Sequence, residues 1–433
     1  MKSNYTKFYE RAISKIGKLP VDKSTFCPLP FNHISTMPQG EIKLCCRGQP
    51  PRDGRNPNVS DPDFDLKEYW NGEYMNEVRD SLLLGEKIPQ CRNCWKMEAQ
   101  DIVSLRLNRI TDTMDQETTR KNVIQYLEHR EIDFNIPLLE LKLSNVCNFK
   151  CRMCWPKDSS KWMQDWDKVK EFYGKGDQQY IGDIVETNNM YHRRVMNLYE
   201  RDEKFISQLI GLMKHVEELE FAGGEPLMDP IHYRVLEAVP NPEKVTLKYS
   251  TNLSIMKLGK KHIIDIWKKF KNIKLTISID GYKELNERIR RESDWDLLKS
   301  NIELCKSELD NLDVIKGTTC ISGMNAAELG KTAEAIVFEL GIHWHTSRLQ
   351  WPDFLHANVQ HPTELQTGID GLKRVFDSLN HHDRRNTPRR FMLETHINGA
   401  ISWLETAIKN NKHDEKYEQY RKFNNKLDEI DET

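Results

Sequence analysis

Three of the ten cysteines stand within eight residues of one another, as Cys147, Cys151 and Cys154 in the pattern C-x3-C-x2-C. Thiols this close along the chain cannot easily pair as disulfides, but a loop can wrap all three around one iron–sulfur cluster. Three ligands leave one iron of a four-iron cube without a protein ligand, and an open coordination position is what a catalytic metal needs. A zinc site and three incidental core thiols are the alternatives. The pattern therefore favours a catalytic cluster.

This pattern, which follows a strand-like run, is similar to the signature of radical S-adenosylmethionine (SAM) enzymes. In that family the open iron chelates the amino and carboxylate groups of SAM. One electron from the cluster breaks the sulfonium C–S bond, and the resulting 5′-deoxyadenosyl radical abstracts hydrogen from a substrate. The resemblance implies two cofactors, SAM and a site-differentiated [4Fe-4S] cluster, and an external electron donor such as flavodoxin or ferredoxin.

The resemblance places further SAM-binding residues close to the cysteine pattern and after the predicted strands. Two adjacent glycines let the backbone approach a ligand closely, and the carboxylate after them can accept a hydrogen bond from the methionyl ammonium group. Alternate residues on a strand share one face, so two of them can reach the ribose hydroxyls together. The SAM-binding residues implied in this way are Gly223, Gly224, Glu225, Ser250, Asn252, Ser278, Asp280, Arg290 and Met153.

Some of these assignments have alternatives. Each polar residue at a strand end can instead be an ordinary cap. Arg290 stands where the family often has a carboxylate-binding arginine, but Arg288 and Arg291 compete for that role. Met153 stands where the family usually has an aromatic residue beside the adenine, and its apolar, polarizable side chain can fill that position.

Four cysteines in the first hundred residues have the spacing of a second site. Cys27 and Cys45 are joined by the pattern C-x12-G-x4-C, and Cys91 and Cys94 form a C-x2-C pair downstream. The spacing looks like the SPASM module of radical SAM enzymes, or its shortened twitch form, which usually follows the barrel and here precedes it. The resemblance implies a second [4Fe-4S] cluster on these four residues, with a zinc ribbon as the alternative. Cys45 fits the spacing better than Cys46.

The remaining cysteines and a group of histidines receive no catalytic role. Further cysteines of a full SPASM module are missing, which limits the N-terminal segment to one cluster. Cys305, in a predicted helix, and Cys320, in a predicted strand, are interpreted as core thiols. The histidines interpreted as lining a polar barrel mouth, in preference to a metal site, are His343, His345, His356 and His361.

Strand-like and helical segments alternate from about residue 137 onward and must position these residues. Six strands alternating with helices predict an α/β fold with a parallel sheet and right-handed crossovers. Periodicity alone also allows a doubly wound sheet, whereas the resemblance implies the partial (βα)6 barrel of the radical SAM core. The predicted strands are 138–143, 217–222, 244–249, 273–279, 314–321 and 342–349.

Composition and motif positions divide the chain into four parts. An N-terminal extension, 1–23, precedes a twitch/SPASM-like auxiliary Fe-S domain, 24–115, and a radical SAM partial barrel, 135–355. The barrel contains a helical insertion, 155–214, which is interpreted equally as a lid over the substrate and as a solvated excursion. A C-terminal helical region, 360–433, ends in a segment charged enough to be disordered.

Whole-chain composition restricts the class of protein. The 433 residues include 64 Lys plus Arg and 66 Asp plus Glu, for a net charge of -2, and no apolar run approaches the roughly 18 residues that span a bilayer. These features predict a cytoplasmic protein without a membrane segment. They also argue against non-specific binding to nucleic-acid backbones, although a local basic patch can still bind a nucleic acid.

Together, these observations predict a radical SAM enzyme that abstracts hydrogen from a substrate that the sequence does not identify. Oxidation or cross-linking of a peptide or a small molecule is the favoured reaction. Two alternatives stay open. One is modification of a nucleic-acid base or nucleoside, and the other is a zinc-stabilised binding protein without catalytic activity.

Overall fold

The chain forms two compact units, which are described separately. The computed structural model describes residues 4–51, 57–59, 61, 63–187, 203–382 and 388–432. Parts of the predicted extension, auxiliary domain, insertion and C-terminal region lie outside these ranges. The first unit contains Met1–Ser144, Asn197–Gly223 and Asp229–Leu247, and the second contains Asn145–Met196, Gly224–Met228 and Lys248–Thr433.

Twelve strands occur in the described ranges and are numbered β1 to β12 in chain order. In the second unit, β4 pairs with β10 and β7 pairs with β8 as two small antiparallel ribbons. The strands are β1 His33–Thr36, β2 Ile42–Lys43, β3 Leu138–Leu141, β4 Lys150–Cys151, β5 Glu218–Phe221, β6 Thr246–Thr251, β7 Lys257–Leu258, β8 Lys261–His262, β9 Asn272–Ser278, β10 Arg290–Arg291, β11 Leu312–Ile321 and β12 His343–Arg348.

In the first unit the strands lie in the order β2-β1-β3-β5. β1 and β2 form an antiparallel hairpin whose turn contains Gly40 at a φ of 85°, a conformation that glycine adopts without the steric penalty of a Cβ. β1 pairs in parallel with β3, and β3 pairs in parallel with β5, so that Leu139 lies opposite Ile34 on one side and Leu219 on the other. The segment that carries the N-terminal cysteines therefore shares a sheet with β3 and β5.

In the second unit β9, β11 and β12 are parallel neighbours, and β6 lies beside β9. Along β9, buried Ile273, Leu275 and Ile277 alternate with half-buried polar residues, which is the period of a strand with one apolar face. The opposite face, here called the polar face, carries Ser278 in register with Thr318 on β11, and Thr318 in register with His345 on β12. A predicted SAM-binding residue thus lies on this face.

Helices occupy most of the remaining described chain. Among the described residues, no helix is long and apolar enough to cross a membrane. The α-helices of the first unit are Asn4–Ile16, Leu29–Asn32, Leu66–Asn71, Glu73–Leu83, Arg92–Glu98, Leu105–Thr113, Glu117–His129, Glu203–Leu212 and Pro230–Glu237. Those of the second unit are Trp166–Val169, Lys175–Thr187, Ile263–Trp267, Glu284–Ile289, Trp295–Glu308, Leu329–Glu334, Pro362–His382, Pro388–Lys409 and His413–Asp431.

The observed elements follow the predicted alternation of strands and helices. The six strands predicted from residue 137 onward correspond to β3, β5, β6, β9, β11 and β12, and their parallel pairs confirm the α/β fold with a parallel sheet. The charged last segment, whose composition allows disorder, forms the helix His413–Asp431. The closure of the strands into a partial barrel and a separate auxiliary domain stay predictions.

Candidate active site

The cysteine pattern folds into a loop of the second unit, here called the cysteine loop, whose centre forms β4 and pairs with β10. The thiol of Cys154 donates a hydrogen bond to Cys151, which lowers the pKa of Cys151 and raises that of Cys154. Burial raises the pKa of Cys147 to about 12, and the nearby Cys151 adds to the rise. Thiols change one another's pKa values only when they are close together. The loop therefore brings the three predicted ligands to one place.

Buried hydrogen bonds hold the cysteine loop in position. The Ser159 hydroxyl donates to the carbonyl of Phe149 over 2.6 Å, and the indole of Trp162 donates to the carbonyl of Cys151 over 2.9 Å. The amide of Cys154 donates to the same carbonyl, also over 2.9 Å. Ser159 and Trp162 are almost fully buried, so these bonds are shielded from water. The residues that follow the pattern therefore fix its backbone.

The two predicted glycines stand where the backbone leaves no room for a side chain. Gly223 has a φ of 127°, and a Cβ there would lie 2.8 Å from the carbonyl oxygen of Ser144. A Cβ on Gly224 would lie 2.2 Å from the carbonyl oxygen of Val146, far inside van der Waals contact. The amide of Glu225 donates to that same Val146 oxygen over 2.6 Å. Gly224 thus allows the segment after it to bond directly to the start of the cysteine loop.

Glu225 is buried, and its carboxylate accepts three hydrogen bonds from its own chain. Oε1 accepts from the Thr251 hydroxyl over 2.7 Å and from the Leu227 amide over 3.1 Å, and Oε2 accepts from the Asn252 amide over 2.7 Å. Burial raises the pKa of Glu225 to about 7, because these bonds and the charge of Arg290 only partly offset the lost hydration. A carboxylate has about four acceptor sites, which leaves one for a ligand ammonium group.

Replacing Glu225 with glutamine is expected to remove a pH dependence of stability. The raised pKa means that the folded chain binds more protons than the unfolded chain between pH 4.5 and about pH 7. The stabilisation from Glu225 is therefore full below pH 4.5 and is lost as the pH rises through about 7, a change of roughly 3 kcal/mol. Urea unfolding of the reduced chain at pH 5 and pH 8 measures this change in the free energy of unfolding. A constant difference between wild type and variant at both pH values would contradict the expectation.

Ser250 and Asn252, the two predicted SAM-binding residues near the end of β6, have different surroundings. The side-chain amide of Asn252 donates to Asn148 Oδ1 over 2.9 Å, and Asn252 Oδ1 accepts from the amide and hydroxyl of Ser254. Asn148 lies inside the cysteine pattern and donates in turn to Ser254 Oγ over 2.8 Å. Asn252 therefore helps to position the cysteine loop, whereas Ser250 is exposed.

The buried Asp280 and the partly buried Arg290 form an ion pair beside the cysteines. Arg290 Nε lies 2.8 Å from Asp280 Oδ2, and Arg290 Nη1 donates to Cys151 Sγ over 3.6 Å. Asp280 is completely buried, and its Oδ1 accepts from the amide of Cys320 over 2.7 Å. The predicted carboxylate-binding arginine thus contacts a predicted cluster ligand.

The two competing arginines face the C-terminal helix. Arg288 pairs with Asp428 at 2.8 Å, and Arg291 pairs with Asp431 at 2.7 Å. Arg152, which lies inside the cysteine pattern and is 2% exposed as a side chain, also pairs with Asp428. The arginine between the two competitors is therefore the one that lies beside the thiols, and the helix His413–Asp431 is tied to the cysteine loop through Arg152.

Cys320, which is interpreted from the sequence as a core thiol, lies near this site. It lies two residues after Thr318 on β11, and therefore on the polar face. It packs against a buried hydrophobic cluster of aromatic and aliphatic side chains, as do Met153 and Trp155. Burial raises the pKa of its thiol to about 12. The alternation of β11 is the sequence signal that could have identified it, whereas Cys305 is fully buried, as a core thiol should be.

The four N-terminal cysteines of the predicted second site interact with one another inside the first unit. Burial raises the pKa values of Cys27 and Cys45 to about 12, and neighbouring thiols add to both shifts. The pKa of Cys91 is raised by burial and then by Cys27, Cys45 and Cys94. The buried guanidinium of Arg106 acts in the opposite direction on Cys27 and Cys94. The hairpin and the C-x2-C pair thus bring these thiols near one another.

Adjacent Cys45 and Cys46 have different neighbours. Cys45 interacts with the other thiols of the second site. The thiol of Cys46 donates to the carboxylate of Glu140, which also pairs with Lys142 at 3.2 Å. Cys46 is exposed as a residue, but lost hydration around its sulfur and then the negative charge of Glu140 raise the pKa of its thiol. The structure therefore groups Cys45 with the other three cysteines, in the way that the spacing favours.

The chemistry of both thiol sets fits an iron–sulfur cluster. Each set offers buried and partly buried sulfur donors, and each has a nearby arginine, the partly buried Arg290 or the buried Arg106, whose positive charge can balance thiolates. A cluster holds its ligands around a cube, so they stand farther apart than the ligands of one ion. Among the described side chains, no group of three or more His, Cys, Asp or Glu is arranged to hold a metal ion.

Three of the four histidines predicted for the barrel mouth pack against separate partners in the C-terminal helices. His343 lies in register with Lys316 on β11. The other three histidines each pack against an aromatic ring. The ring centroids are 4.1 Å apart for His345 and His396, 5.3 Å for His356 and Trp403, and 5.3 Å for His361 and His413.

Part of the chain matches a known protein family. Residues 141–336, a little under half of the chain, match the family model described as Radical SAM superfamily. The matched range contains the cysteine pattern, the two glycines followed by Glu225, and Arg290. This match supports the radical SAM superfamily for that part of the chain. No curated protein matches the sequence.

Several solved structures resemble the chain at low identity. Streptococcus suis SuiB bound to S-adenosylmethionine is 14% identical with a TM-score of 0.33, over 73% of this chain and 60% of SuiB. Histidine-tagged anSMEcpe with bound AdoMet is 16% identical with a TM-score of 0.36, over 57% of this chain and 60% of its own. TYW1 with a lysine–pyruvate adduct is 13% identical with a TM-score of 0.30, over 57% of this chain and 72% of TYW1. The chain thus spans 60% of the length of the first two.

Proposed function

We propose that this chain is a radical SAM enzyme that binds a [4Fe-4S] cluster through Cys147, Cys151 and Cys154, cleaves SAM and abstracts hydrogen from an organic substrate. The observation that carries the proposal is the convergence of these three thiols in one loop, with Cys151 buried and the other two partly buried, within the range 141–336 that matches the family model. When bound, the cluster supplies one electron to SAM through the iron that lacks a protein ligand.

In this proposal the residues of the chain hold and orient the cofactors. The close approach of Gly224 to Val146 keeps the cysteine loop in place. The fourth acceptor site of Glu225 takes a hydrogen bond from the methionyl ammonium group of SAM. Ser278 offers its hydroxyl from the polar face to the ribose, and Met153 packs against the adenine. The burial of Cys151 keeps water away from its sulfur.

The same proposal assigns a second [4Fe-4S] cluster to the N-terminal cysteines. Its support is the mutual interaction of Cys27, Cys45, Cys91 and Cys94 within one unit. Four thiolates complete the coordination of a cluster, so this one would serve electron transfer or structure. A zinc ion is the alternative occupant of a four-cysteine site.

Replacing Cys45 with serine is expected to remove this second cluster, because Cys45 interacts with the other thiols. Iron in the anaerobically loaded chain should fall from about eight to about four atoms, the content of one cluster. Cys46→Ser is the matched control, since the Cys46 thiol bonds to Glu140, and this variant should keep all of its iron. Equal iron loss in both variants, or loss in Cys46→Ser alone, would contradict the assignment.

For the substrate, we infer a polar peptide or small molecule. The support is the polar face, on which Ser278, Thr318 and His345 are half-buried and in register across three strands. Hydroxyl and imidazole groups can donate and accept hydrogen bonds, which suits an amide or a hydroxyl on a substrate. Modification of a nucleoside is the alternative reaction.

Anaerobic purification and isotope transfer test the proposed function. The chain should be brown and carry about eight irons if it holds both clusters, whereas a colourless chain with zinc and without iron would contradict catalysis. With SAM and a reductant, deuterium should pass into 5′-deoxyadenosine only from the true substrate. Deuterated peptides, small alcohols and nucleosides are therefore compared, and a nucleoside donor would favour the alternative reaction.

A further inference from the structure

Arg290 links a buried carboxylate to a sulfur of the predicted SAM cluster. Its Nη1 donates to Cys151 Sγ over 3.6 Å, and its Nε lies 2.8 Å from Asp280 Oδ2. Arg290 on β10 is also the register partner of Cys151 on β4. Strand pairing therefore fixes the distance between the two backbones, and the contact does not depend on a long side chain alone.

Burial makes these charges effective and holds them in place. Asp280 is 0% exposed and Cys151 is 4% exposed, and charges interact more strongly where water is excluded. The carboxylate of Asp280 accepts from the amide of Cys320 over 2.7 Å, and the amide of Asp280 donates to Asn286 Oδ1 over 2.9 Å. Asp280 is thus held by two neighbouring segments, with its Oδ2 2.8 Å from Nε of Arg290.

We propose that Arg290 and Asp280 together set the reduction potential of the cluster that Cys151 ligates. This inference rests on the proposed function, because it requires the cluster. On reduction, one electron enters from an external iron–sulfur or flavin donor and no proton is transferred, so the cluster with its thiolates gains one negative charge. A cation that donates a hydrogen bond to a ligand sulfur favours this added charge, and a nearby carboxylate opposes it. Arg290 is therefore a positioning residue that raises the potential, and Asp280 lowers it.

This role differs from the carboxylate-binding role that the family resemblance implies for Arg290. One guanidinium nitrogen, Nη1, already donates to Cys151 Sγ, and a second, Nε, lies 2.8 Å from Asp280 Oδ2. A substrate or SAM carboxylate would have to use the third nitrogen or displace Asp280. The two roles predict different results in the absence of SAM, since a carboxylate-binding residue has no effect on the cluster there.

The test is a redox titration of the anaerobically loaded full chain without SAM, followed by electron paramagnetic resonance. A parallel sample with SAM identifies the signal of the SAM cluster by its change. For Arg290→Gln we expect the reduction equilibrium to shift at least tenfold toward the oxidised form, which is about 59 mV for a one-electron couple. Asp280→Asn should shift the midpoint in the opposite direction. Arg288→Gln is the matched control, because Arg288 pairs with Asp428 and should leave the midpoint unchanged.

Each outcome decides for or against the inference. An unchanged or more positive midpoint in Arg290→Gln would overturn it, and so would an equal shift in Arg288→Gln. If Arg290→Gln does not load a cluster, the midpoint potential of Asp280→Asn decides the question. A more positive midpoint in that variant would support the inference, and an unchanged midpoint would count against it. A wild-type chain without a reducible cluster would count against the proposed function itself. A normal wild-type cluster whose midpoint is the same in every variant would count against this inference alone.

Discussion

Replacing Cys151 with alanine is expected to remove about half of the iron from the anaerobically loaded chain and to abolish SAM cleavage. Cys151 is 4% exposed, and its sulfur accepts from both Cys154 and Arg290. Without it the loop keeps two of its three ligands, and no third thiol of the pattern is left to complete the set. A colorimetric iron assay and chromatography of 5′-deoxyadenosine measure the two effects.

Cys305→Ala is the matched control for this prediction. Cys305 is also completely buried, and burial alone accounts for the rise of its pKa to about 12. Removing its thiol changes the core without removing a predicted ligand, so the variant should keep its iron and its SAM cleavage. Iron content in Cys151→Ala equal to that of wild type would contradict the ligand assignment.

Replacing Gly224 with alanine is expected to remove nearly as much iron as Cys151→Ala. The new Cβ would lie 2.2 Å from the carbonyl oxygen of Val146, and both are backbone positions without a flexible side chain that could move away. The segment must shift, which also breaks the 2.6 Å hydrogen bond from the Glu225 amide to Val146. We expect a cost of about 3 kcal/mol in the free energy of unfolding. The iron of the SAM cluster should be lost, and urea unfolding and the iron assay measure both changes.

Gly399→Ala separates this effect from the general cost of removing a glycine. Gly399 lies in the helix Pro388–Lys409, and a Cβ there would have nothing within 4 Å. Alanine at this position should stabilise the chain by roughly 0.5–1 kcal/mol, since it favours a helix and reduces the freedom of the unfolded chain. A Gly224→Ala variant as stable as wild type, with its iron retained, would show that the close approach to Val146 is unimportant.

The strands of the parallel sheet could be predicted because their burial follows the sequence alternation. β9 is predicted at 273–279 and observed at Asn272–Ser278, with Ile273, Leu275 and Ile277 buried as the pattern requires. The hairpin of β1 and β2 was not predicted as part of that sheet. Its strands are short, and a four-residue strand beside prolines and cysteines has no alternation long enough to indicate a partner.

The residue types of the site could be predicted, whereas their contacts could not. Spacing alone favours Cys45 over Cys46, but the bond from Cys46 to Glu140 depends on how β1 pairs with β3. In the same way, three arginines compete in the sequence, and the pairing of β4 with β10 puts Arg290 beside Cys151. Contacts of this kind join segments that are far apart in the chain, so no local pattern encodes them.

The most direct test of the central claim is the formation of 5′-deoxyadenosine from SAM by the anaerobically loaded wild-type chain with dithionite. We expect 5′-deoxyadenosine to form together with methionine, and Cys151→Ala to form neither. Iron content measured on the same sample shows whether the cluster is present. A chain that carries its full iron, is reduced by dithionite and still leaves SAM intact would contradict the proposed radical SAM activity.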